Sequence, residues 1–538
     1  MPLGDPERRI WIYTTACLPW MTGTSINPLL RAAHMTKNRP KGMVNLVVPW
    51  LEPHDQPAVF PRGVVMESRE DQEKHVREWL IQAGLGEESE ALGILFYHSC
   101  YHRGFGSIFP LGDLTALVAD EEADVCVLEE PEHLNWFRAD GALWTEKFNY
   151  VVGIIHTNYT FYAGQEIGGT VKRELVRIMS AWMARAYCHK IVKLSAALQT
   201  YAPEKEQVCN VHGVRPSFME VGVKATCRSE SNLQVGDEAG KQGFTKGAYF
   251  IGKLLWTKGL DKLLPLLRHY ERKTGTVLPI DLYGHGPDKA PIQRKAQGLR
   301  LTATFPGSID HAVLRHHKIF INPSRSEVLC TTIAEALAMG KFVICARHES
   351  NRFFYQFENC LPFASRKEFV ARLKFALSHE PGVMPPKVRR ALTWAAATER
   401  FTQCASQEPK VVSAAPTDEA CCNSNSNGNS NGNSNGSSKA KPVPQMEQLD
   451  IFLAHLHVVM SKGKHGDAFR ALCGAGAAAR QTAYAPADGA VVAERPKVEW
   501  GAAYTQLVEK LEEYVRSNIV EPLVQVYQGI LAAAPGMA

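Results

Sequence analysis

The sequence predicts an α/β protein with two Rossmann-like domains that face each other across a cleft. Two observations predict this fold. Short apolar stretches alternate with helical ones, and the alternation runs twice, interrupted by a polar, Gly-rich stretch at about residues 227–246. A length of 538 residues also allows more than one domain. In such sheets the ligand lies at the carboxyl ends of the strands, so the residues after each strand are the first functional candidates.

Short apolar runs are the predicted strands of both halves. We predict that the first half spans residues 1–230 and the second residues 246–405. A helix around Leu392 to Phe401, which contains Trp394, is expected to close the second half. The strands predicted in the first half are Ile10 to Thr14, Val44 to Val48, Ile94 to Tyr97, Val125 to Leu128, Val151 to His156 and Lys190 to Leu194. Those predicted in the second half are Ala248 to Ile251, Ile280 to Tyr283, Leu301 to Phe305, Lys318 to Ile321 and Phe342 to Cys345.

Two further segments follow the second half. Residues 406–445 are predicted to be a disordered linker, because Asn423 to Ser438 offer no apolar side chain to bury. Residues 446–538 are predicted to be a helical C-terminal extension of unknown role, with two amphipathic helices. We expect these helices to pack on the rest of the chain or on each other, because neither polar face is basic enough for a membrane helix. Their apolar faces comprise Leu449, Phe452, Leu453, Leu456 and Met460 in the first and Leu507, Leu511, Tyr514 and Val515 in the second.

The composition is that of a soluble globular protein. Hydrophobic residues make up 45% of the chain, and no apolar run reaches the roughly 18 residues of a membrane span. The net charge of +5 gives no reason to expect nucleic acid and is compatible with docking on an anionic lipid surface. The 13 cysteines contain no C-x-x-C pair, so neither a zinc site nor a redox pair is indicated. The N-terminal residues resemble neither a signal region nor an ordinary transit peptide.

Two carboxylates follow a strand of the second half. Glu327 lies at the strand-to-helix junction, and Glu335, separated from it by seven residues, lies inside the helix that stops at Gly340. Carboxylates in these positions can bind the hydroxyls of a nucleotide sugar, and the helix amides can face a diphosphate. The alternative is a capping box, with Thr332 as the N-cap residue and Glu335 three positions later.

Glycine follows the first strand of each half, and in the second half two lysines accompany it. Gly23 lies where the first helix begins, and Gly252, Lys253 and Lys258 lie in the loop after the first strand of the second half. Glycine lets a phosphate or a sugar approach the backbone closely, and two ammonium groups can neutralise two phosphates. The alternatives are an ordinary βα turn and a pair of solvated lysines.

Two other strand ends of the first half carry polar and aromatic side chains. His156 ends an apolar strand and is placed to touch a reacting sugar, although a histidine satisfied within the core fits equally well. Glu132, His133 and Trp136 follow Glu129 in L-E-E-P-E-H-L-N-W-F. This loop can bind an acceptor sugar by stacking and hydrogen bonds, or it is an acidic surface loop.

With these motifs assembled, residues 8–403 resemble the digalactosyldiacylglycerol synthases of plants and algae, which are retaining nucleotide-sugar glycosyltransferases of the GT-B fold. The resemblance rests on long shared sequence segments rather than on the general GT-B pattern. They include T-T-A-C-L-P-W-M-T-G-T-S-I-N-P-L, L-E-E-P-E-H-L-N-W-F, V-V-G-I-I-H-T-N-Y, K-G-A-Y-F-I-G-K-L-L-W-T-K-G and V-L-C-T-T-I-A-E-A-L-A-M-G-K-F-V.

The resemblance implies transfer of galactose from UDP-galactose to monogalactosyldiacylglycerol, in a first domain for the acceptor and a second for the nucleotide sugar. It implies that Glu335 binds the ribose, Glu327 the donor sugar, and Lys253 and Lys258, beside Gly252, the diphosphate, without a bound metal. Gly23 would lie near the donor phosphate or the acceptor, and His156 near the reacting carbon. Glu132, His133 and Trp136 would contact the acceptor.

The resemblance also implies a peripheral enzyme on the cytosolic side of the plastid outer envelope. The basic stretches Lys37 to Lys41, Arg185 to Lys193 and Arg294 to Arg300 are candidates for contact with anionic headgroups, against scattered surface charge as the alternative. Front-face displacement is the favoured mechanism, with Glu327 as a covalent nucleophile the second. Glucosyl transfer to a lipid or sterol and a non-catalytic lipid-binding scaffold are the rival functions.

Overall fold

The computed structural model describes residues 2–102, 106–136, 141–164, 169–231, 244–406 and 448–460. Two sheets organise these residues, one in each half of the chain. The strands of the first sheet are β1 (Ile10–Tyr13), β2 (Val44–Leu51), β3 (Gly93–His102), β4 (Ser107–Pro110), β5 (Val125–Glu129), β6 (Tyr150–Ile155), β7 (Lys190–Lys193) and β8 (Glu206–Val208). Those of the second are β9 (Lys246–Ile251), β10 (Ile280–Tyr283), β11 (Ala303–Gly307), β12 (His317–Asn322), β13 (Phe342–Ala346) and β14 (Cys360–Phe363).

Helices connect and cover the strands. In the first half they are α1 (Gly23–Met35), α2 (Arg69–Gln82), α3 (Gly86–Ala91), α4 (Pro131–Trp136), α5 (Trp144–Lys147), α6 (Tyr159–Ala163), α7 (Gly169–Tyr187) and α8 (Pro216–Ser231). After the second half begins they are α9 (Leu260–Thr274), α10 (Lys289–Gly298), α11 (Thr331–Ala338), α12 (Arg366–Ser378), α13 (Pro386–Arg390), α14 (Trp394–Ser406) and α15 (Gln448–Met460).

Both sheets have the strand order of a doubly wound fold. The first runs β4-β3-β2-β1-β5-β6-β7-β8 and the second β11-β10-β9-β12-β13-β14. All neighbouring strands are parallel except β3 and β4. Strands β2, β5 and β6 are buried along their whole length, as continuous apolar runs in a sheet covered on both faces should be. The order reverses between β1 and β5 and between β9 and β12, so the ligand cleft is expected at these strand ends.

The two-sheet α/β prediction is confirmed, and every predicted strand overlaps an observed one. The sequence prediction missed β4, β8 and β14, which are only three or four residues long. Strand β14 also contains Pro362, which argues against a strand from sequence alone.

The position of α14 differs from the prediction that this helix closes the second half. Trp394, Phe401 and Cys404 pack into the hydrophobic core of the first sheet, and Tyr150 donates a hydrogen bond to the Ala405 carbonyl oxygen (2.7 Å). The chain crosses back beside its earlier crossing, where Val214 N–H bonds to the Leu392 carbonyl oxygen (2.9 Å). The last helix of the second half therefore completes the core of the first.

Helix α15 packs against α7 of the first half. Asp450, which is fully buried, lies 2.7 Å from Arg185 Nε and 2.5 Å from Lys205 Nζ. His457 Nδ1 lies 2.6 Å from the Tyr187 hydroxyl. This is the expected packing on the body of the protein, although Leu449, assigned to the apolar face, is 53% exposed. The 406–445 linker prediction and the second amphipathic helix lie, except for residue 406, outside the described residues.

The same contacts argue against lipid contact by one of the three basic stretches. Arg185 pairs with Asp450, and Lys193 lies 2.8 Å from Glu206. Lys190 is only 4% exposed. The stretch from Arg185 to Lys193 therefore does not offer these charges to a lipid surface, because they are buried or paired within the first half. Among the described residues, no helix is long and apolar enough to cross a bilayer.

Candidate active site

The loop after β9 packs tightly on the loop after β10. Gly252 N–H bonds to the Tyr283 carbonyl oxygen, and Leu254 N–H to that of His285 (3.1 and 2.8 Å). A Cβ at Gly284 would lie 1.9 Å from the Gly252 carbonyl oxygen, so this approach requires glycine. The Lys253 side chain is exposed and makes no hydrogen bond or ion pair with another described residue. Its ammonium group is therefore available to an anion from solvent.

The same loop is fixed against the segment after β12. Gly259 has φ +83°, and a Cβ there would lie 2.6 Å from the Pro323 carbonyl oxygen. The Ser326 hydroxyl donates to the Thr257 carbonyl oxygen (3.0 Å). These contacts bring the two predicted donor motifs together at adjacent strand ends, since β9 and β12 are neighbours.

Lys258 and Glu327 form an ion pair at this junction. Lys258 Nζ donates to Glu327 Oε1 at 2.7 Å, and the two side chains are 19% and 23% exposed. Burial favours the neutral amine, but the Glu327 carboxylate and the nearby Tyr162 outweigh it and raise the pKa of Lys258 above its ordinary value. Lys258 is therefore a fixed cation, with donors left over for a second anion.

Glu335 is held by a hydrogen-bonded chain that the sequence did not predict. Its Oε2 lies 2.7 Å from His311 Nδ1, and His311 Nε2 lies 2.7 Å from the Tyr249 hydroxyl. The capping-box alternative is wrong for this structure, since the N-cap residue of α11 is Cys330 and no side chain caps the helix. Glu335 is instead a partly exposed carboxylate whose orientation is set by a buried histidine.

His156 lies at the end of β6 beside two buried charges. Its Nε2 is hydrogen-bonded to Glu129 Oε2, and Arg31 Nε donates to Glu129 Oε1 (2.7 Å). The His212 ring lies 5.1 Å from the His156 ring, centroid to centroid. Burial, then the neighbouring His156, Arg31 and Arg400, lower the pKa of His212 well below its usual range. His212 is therefore a neutral neighbour of His156.

Glu130 joins three strand ends of the first sheet. It follows β5, and its carboxylate accepts hydrogen bonds from Thr15 after β1 (2.9 Å) and from Thr157 after β6. Its φ is +71°, an uncommon backbone conformation for a residue that is not glycine. Strain of this kind is typical of functional sites. No local sequence pattern indicates these contacts, because 115 and 27 residues separate the partners.

The expected acceptor contacts of Glu132 and His133 need revision. Glu132 is fully buried, and burial followed by the Glu130 charge raises its pKa well above the usual range. The His133 ring is 3% exposed and stacks between Phe109 and Trp136, at 4.9 and 5.2 Å between centroids. Both residues shape the loop from within, so only Trp136 of the three is partly open to a ligand.

Gly23 begins α1, which has no side-chain cap. A Cβ at Gly23 would meet nothing closer than Asn27 Nδ2 at 3.5 Å, and its φ is not positive. Protein packing therefore does not require glycine at this position. Close approach of a ligand remains a reason for it.

The two halves meet close to these residues. Ser195, which follows β7, donates a hydrogen bond to the Val328 carbonyl oxygen. Tyr162 on α6 is near enough to Lys258 to influence its charge. The contacts bring the strand end that carries His156 to the same cleft as the Lys258–Glu327 pair. Within the described ranges, no group of three or more His, Cys, Asp and Glu residues could hold a metal ion.

Comparisons with known proteins show which proteins this chain is similar to. Residues 238–390 match the family model "Glycosyl transferases group 1". The chain is 44% identical over 401 residues to digalactosyldiacylglycerol synthase 2, chloroplastic, of Lotus japonicus, covering 74% of this chain and 83% of the relative. It is 45% identical over 401 residues to digalactosyldiacylglycerol synthase 1, chloroplastic, of Glycine max, covering 74% of this chain and 49% of the relative.

The chain thus spans about half the length of the synthase 1 relatives it matches. Among solved structures, WaaG, a glycosyltransferase involved in lipopolysaccharide biosynthesis, is 13% identical and covers 74% of this chain and 97% of its own, with a TM-score of 0.39.

Proposed function

Because the chain belongs to the digalactosyldiacylglycerol synthase family, we propose that it transfers galactose from UDP-galactose to monogalactosyldiacylglycerol. The product is digalactosyldiacylglycerol, with the anomeric configuration of the donor retained. The observation that carries the proposal is the Lys258–Glu327 pair beside the exposed Lys253, with Glu335 inside the next helix. Cations for a diphosphate and carboxylates for sugar hydroxyls lie together at the ends of β9 and β12, where the strand order of the second sheet reverses.

The donor is bound by the second domain in this proposal. Glu335, oriented by His311, accepts hydrogen bonds from the ribose hydroxyls. Lys253 and Lys258 neutralise the diphosphate, and Gly252 allows it to approach the backbone. Glu327 holds Lys258 in place and binds the galactose. No bound metal is needed, because the two lysines supply the positive charge that a divalent cation would otherwise supply.

The reaction is front-face displacement. The acceptor hydroxyl attacks the anomeric carbon from the side on which UDP leaves, through an oxocarbenium-like transition state. The side chains contribute orientation and electrostatic stabilisation of the departing phosphate. His156 lies beside the reacting carbon, and Trp136 stacks on the acceptor sugar. Glu327 as a covalent nucleophile is the second mechanism, and a Glu327→Gln protein that keeps most of its activity would exclude it.

The acceptor is a membrane lipid, so the enzyme works at an interface. We place it peripherally on the cytosolic face of the plastid outer envelope, extending what the relatives' printed names say of the chloroplast. The basic stretches Lys37 to Lys41 and Arg294 to Arg300 are the remaining candidates for contact with anionic headgroups. Release of the protein from anionic vesicles by high salt tests this contact, and binding that is indifferent to salt contradicts it.

A transfer assay tests the function. Purified protein is incubated with UDP-galactose and vesicles containing monogalactosyldiacylglycerol, with and without EDTA, and the lipid product is identified by mass spectrometry. We expect a digalactosyl lipid in both conditions. A parallel reaction receives UDP-glucose in place of UDP-galactose. A lipid product from UDP-glucose and none from UDP-galactose would indicate a glucosyltransferase. UDP binding without transfer to any lipid offered would indicate a lipid-binding scaffold.

A pair of lysine variants tests the diphosphate site. Lys253→Met should lower turnover by roughly 10²-fold, the scale of losing one donor to a developing negative charge. Lys262→Met is the control, because Lys262 is an exposed lysine on the neighbouring helix α9 and carries no proposed role. Equal activity of the two variants contradicts the role of Lys253.

A further inference from the structure

Glu129 is a buried charge without a role in the reaction described so far. Its side chain is 1% exposed and that of its partner Arg31 is 0% exposed. The carboxylate lies between two groups, with Arg31 Nε at 2.7 Å from Oε1 and His156 Nε2 hydrogen-bonded to Oε2. A buried ion pair is not by itself a strong stabiliser, so its presence at the end of β5 asks for another explanation.

The protonation state of Glu129 fixes where His156 carries its hydrogen. Burial alone would raise the pKa of Glu129, but Arg31 and His156 reverse this and hold the pKa below its ordinary value. An ionised carboxylate only accepts hydrogen bonds. Nε2 of His156 must therefore carry a hydrogen and donate it. Nδ1 makes no hydrogen bond to any described residue and is not among their buried unpaired atoms, although the side chain is only 5% exposed. It is therefore the ring nitrogen left to bind a ligand.

Arg31 is itself held firmly, which fixes the carboxylate. Its Nη1 donates to the Val211 carbonyl oxygen (2.8 Å), and its guanidinium carbon lies 5.0 Å from the centre of the Phe401 ring. Phe401 belongs to α14, the helix that returns to the first domain. The chain of contacts thus runs from this helix through Arg31 and Glu129 to His156. Partners of this kind set the tautomer and orientation of a functional histidine.

We propose that Glu129 is the positioning residue of His156. It receives the Nε2 hydrogen and thereby presents Nδ1 to the reacting sugars, while Arg31 keeps the carboxylate in place. The assignment of His156 to the reaction rests on the proposed function. The geometry of the Arg31–Glu129–His156 chain does not.

The tautomer is measured first, on the unaltered protein. Histidines are labelled with ¹⁵N, and the His156 ring signals are identified by their loss in His156→Gln. We expect Nε2 to have the chemical shift of a nitrogen that carries hydrogen. A His156 ring with an unprotonated Nε2 overturns the proposal, whether or not any variant folds.

Kinetics of Glu129→Gln follow, with Asp124→Asn as the matched control. Asp124 is also bound by an arginine, Arg8 Nε at 2.6 Å from Oδ2, but it precedes β5 at the opposite end of the strand from the cleft. We expect Glu129→Gln to lower kcat roughly 10²-fold, with KM for UDP-galactose within about twofold and altered His156 ring shifts. Asp124→Asn should leave the kinetics and these shifts unchanged.

The outcomes separate the two proposals. Unchanged kcat and unchanged His156 shifts in a folded Glu129→Gln protein overturn the role of Glu129. Equal losses of kcat in both variants also overturn it, because they indicate a general effect on the first domain. If the unaltered protein transfers no sugar to any lipid, the proposed function fails, while the ring shifts still decide whether Glu129 positions His156.

Discussion

Replacement of Gly259 by alanine should damage both stability and catalysis, because two separate constraints act on this residue. It has φ +83°, and a Cβ there would lie 2.6 Å from the Pro323 carbonyl oxygen. The left-handed conformation costs an alanine about 1–2 kcal/mol. Relief of the contact requires a backbone shift, and such shifts at overpacked sites cost about 1–3 kcal/mol.

Together these terms predict that Gly259→Ala lowers the free energy of unfolding of the second domain by about 2–5 kcal/mol. The shift also moves Lys258, the preceding residue, away from Glu327, to which it is bonded at 2.7 Å. Misplacement of a catalytic group by an ångström costs up to roughly 10²-fold in rate. Turnover should therefore fall by at least about tenfold.

Gly275→Ala supplies the matched control at the other end of α9. Gly275 also has a left-handed φ, +70°, but a Cβ there would meet nothing within 4 Å. It should cost only the conformational term of about 1–2 kcal/mol and leave turnover unchanged. Urea unfolding and the transfer assay are run on both variants in parallel. Equal destabilisation of the two, or full activity of Gly259→Ala, would refute the reasoning from the Pro323 contact.

Three further predictions follow from the buried and paired groups. Asp450→Asn should release α15 from the first half, because Arg185 and Lys205 lose their buried carboxylate partner. Hydrogen exchange over residues 448–460 should then rise sharply, whereas Leu449→Ala, at an exposed position of the same helix, should have no effect. Glu335→Gln should weaken UDP binding by roughly tenfold or more in calorimetry, the scale of one charged hydrogen bond, and unchanged affinity would remove Glu335 from the ribose site. Burial, followed by the charge of Lys37, lowers the pKa of His34 to about 4 in the folded protein. Below the ordinary pKa of 6.5 the unfolded chain therefore binds one proton more than the folded chain, so the free energy of unfolding should fall as pH drops from 6.5 toward 4. Urea unfolding of His34→Gln should show a shallower fall over the same pH range.

The strands of both sheets could be predicted because a parallel sheet buried on both faces needs continuous apolar runs. Val125 to Leu128 and Val151 to His156 are such runs, and each leads directly to a site residue. The strand ends also placed Glu327 and Lys258 near one another, since neighbouring parallel strands end at the same edge. Their ion pair follows from that placement.

The partners of Glu335 and Glu129 could not be predicted. His311 lies 24 residues before Glu335, in a short 3₁₀ turn with no sequence signature, and Arg31 lies 98 residues before Glu129. Hydrophobic periodicity reports which residues face a core, but it carries no information about which polar side chains meet across it. The burial of Glu132 escaped prediction for a related reason, because an acidic residue after a strand is usually solvated.

The return of α14 has a consequence for the order in which this chain is made. The core that Trp394 and Phe401 complete belongs to the first sheet, whose last strand ends at Val208. During translation the ribosome must therefore produce the entire second domain before the first can close its core, and Ala454 of α15 joins that core later still. The usual sequence, in which the N-terminal domain folds first as a finished unit, cannot apply here. While the second domain is being synthesised, the nascent first domain exposes the apolar surface that Trp394 and Phe401 later cover. This is the stage of synthesis at which the protein most needs a chaperone.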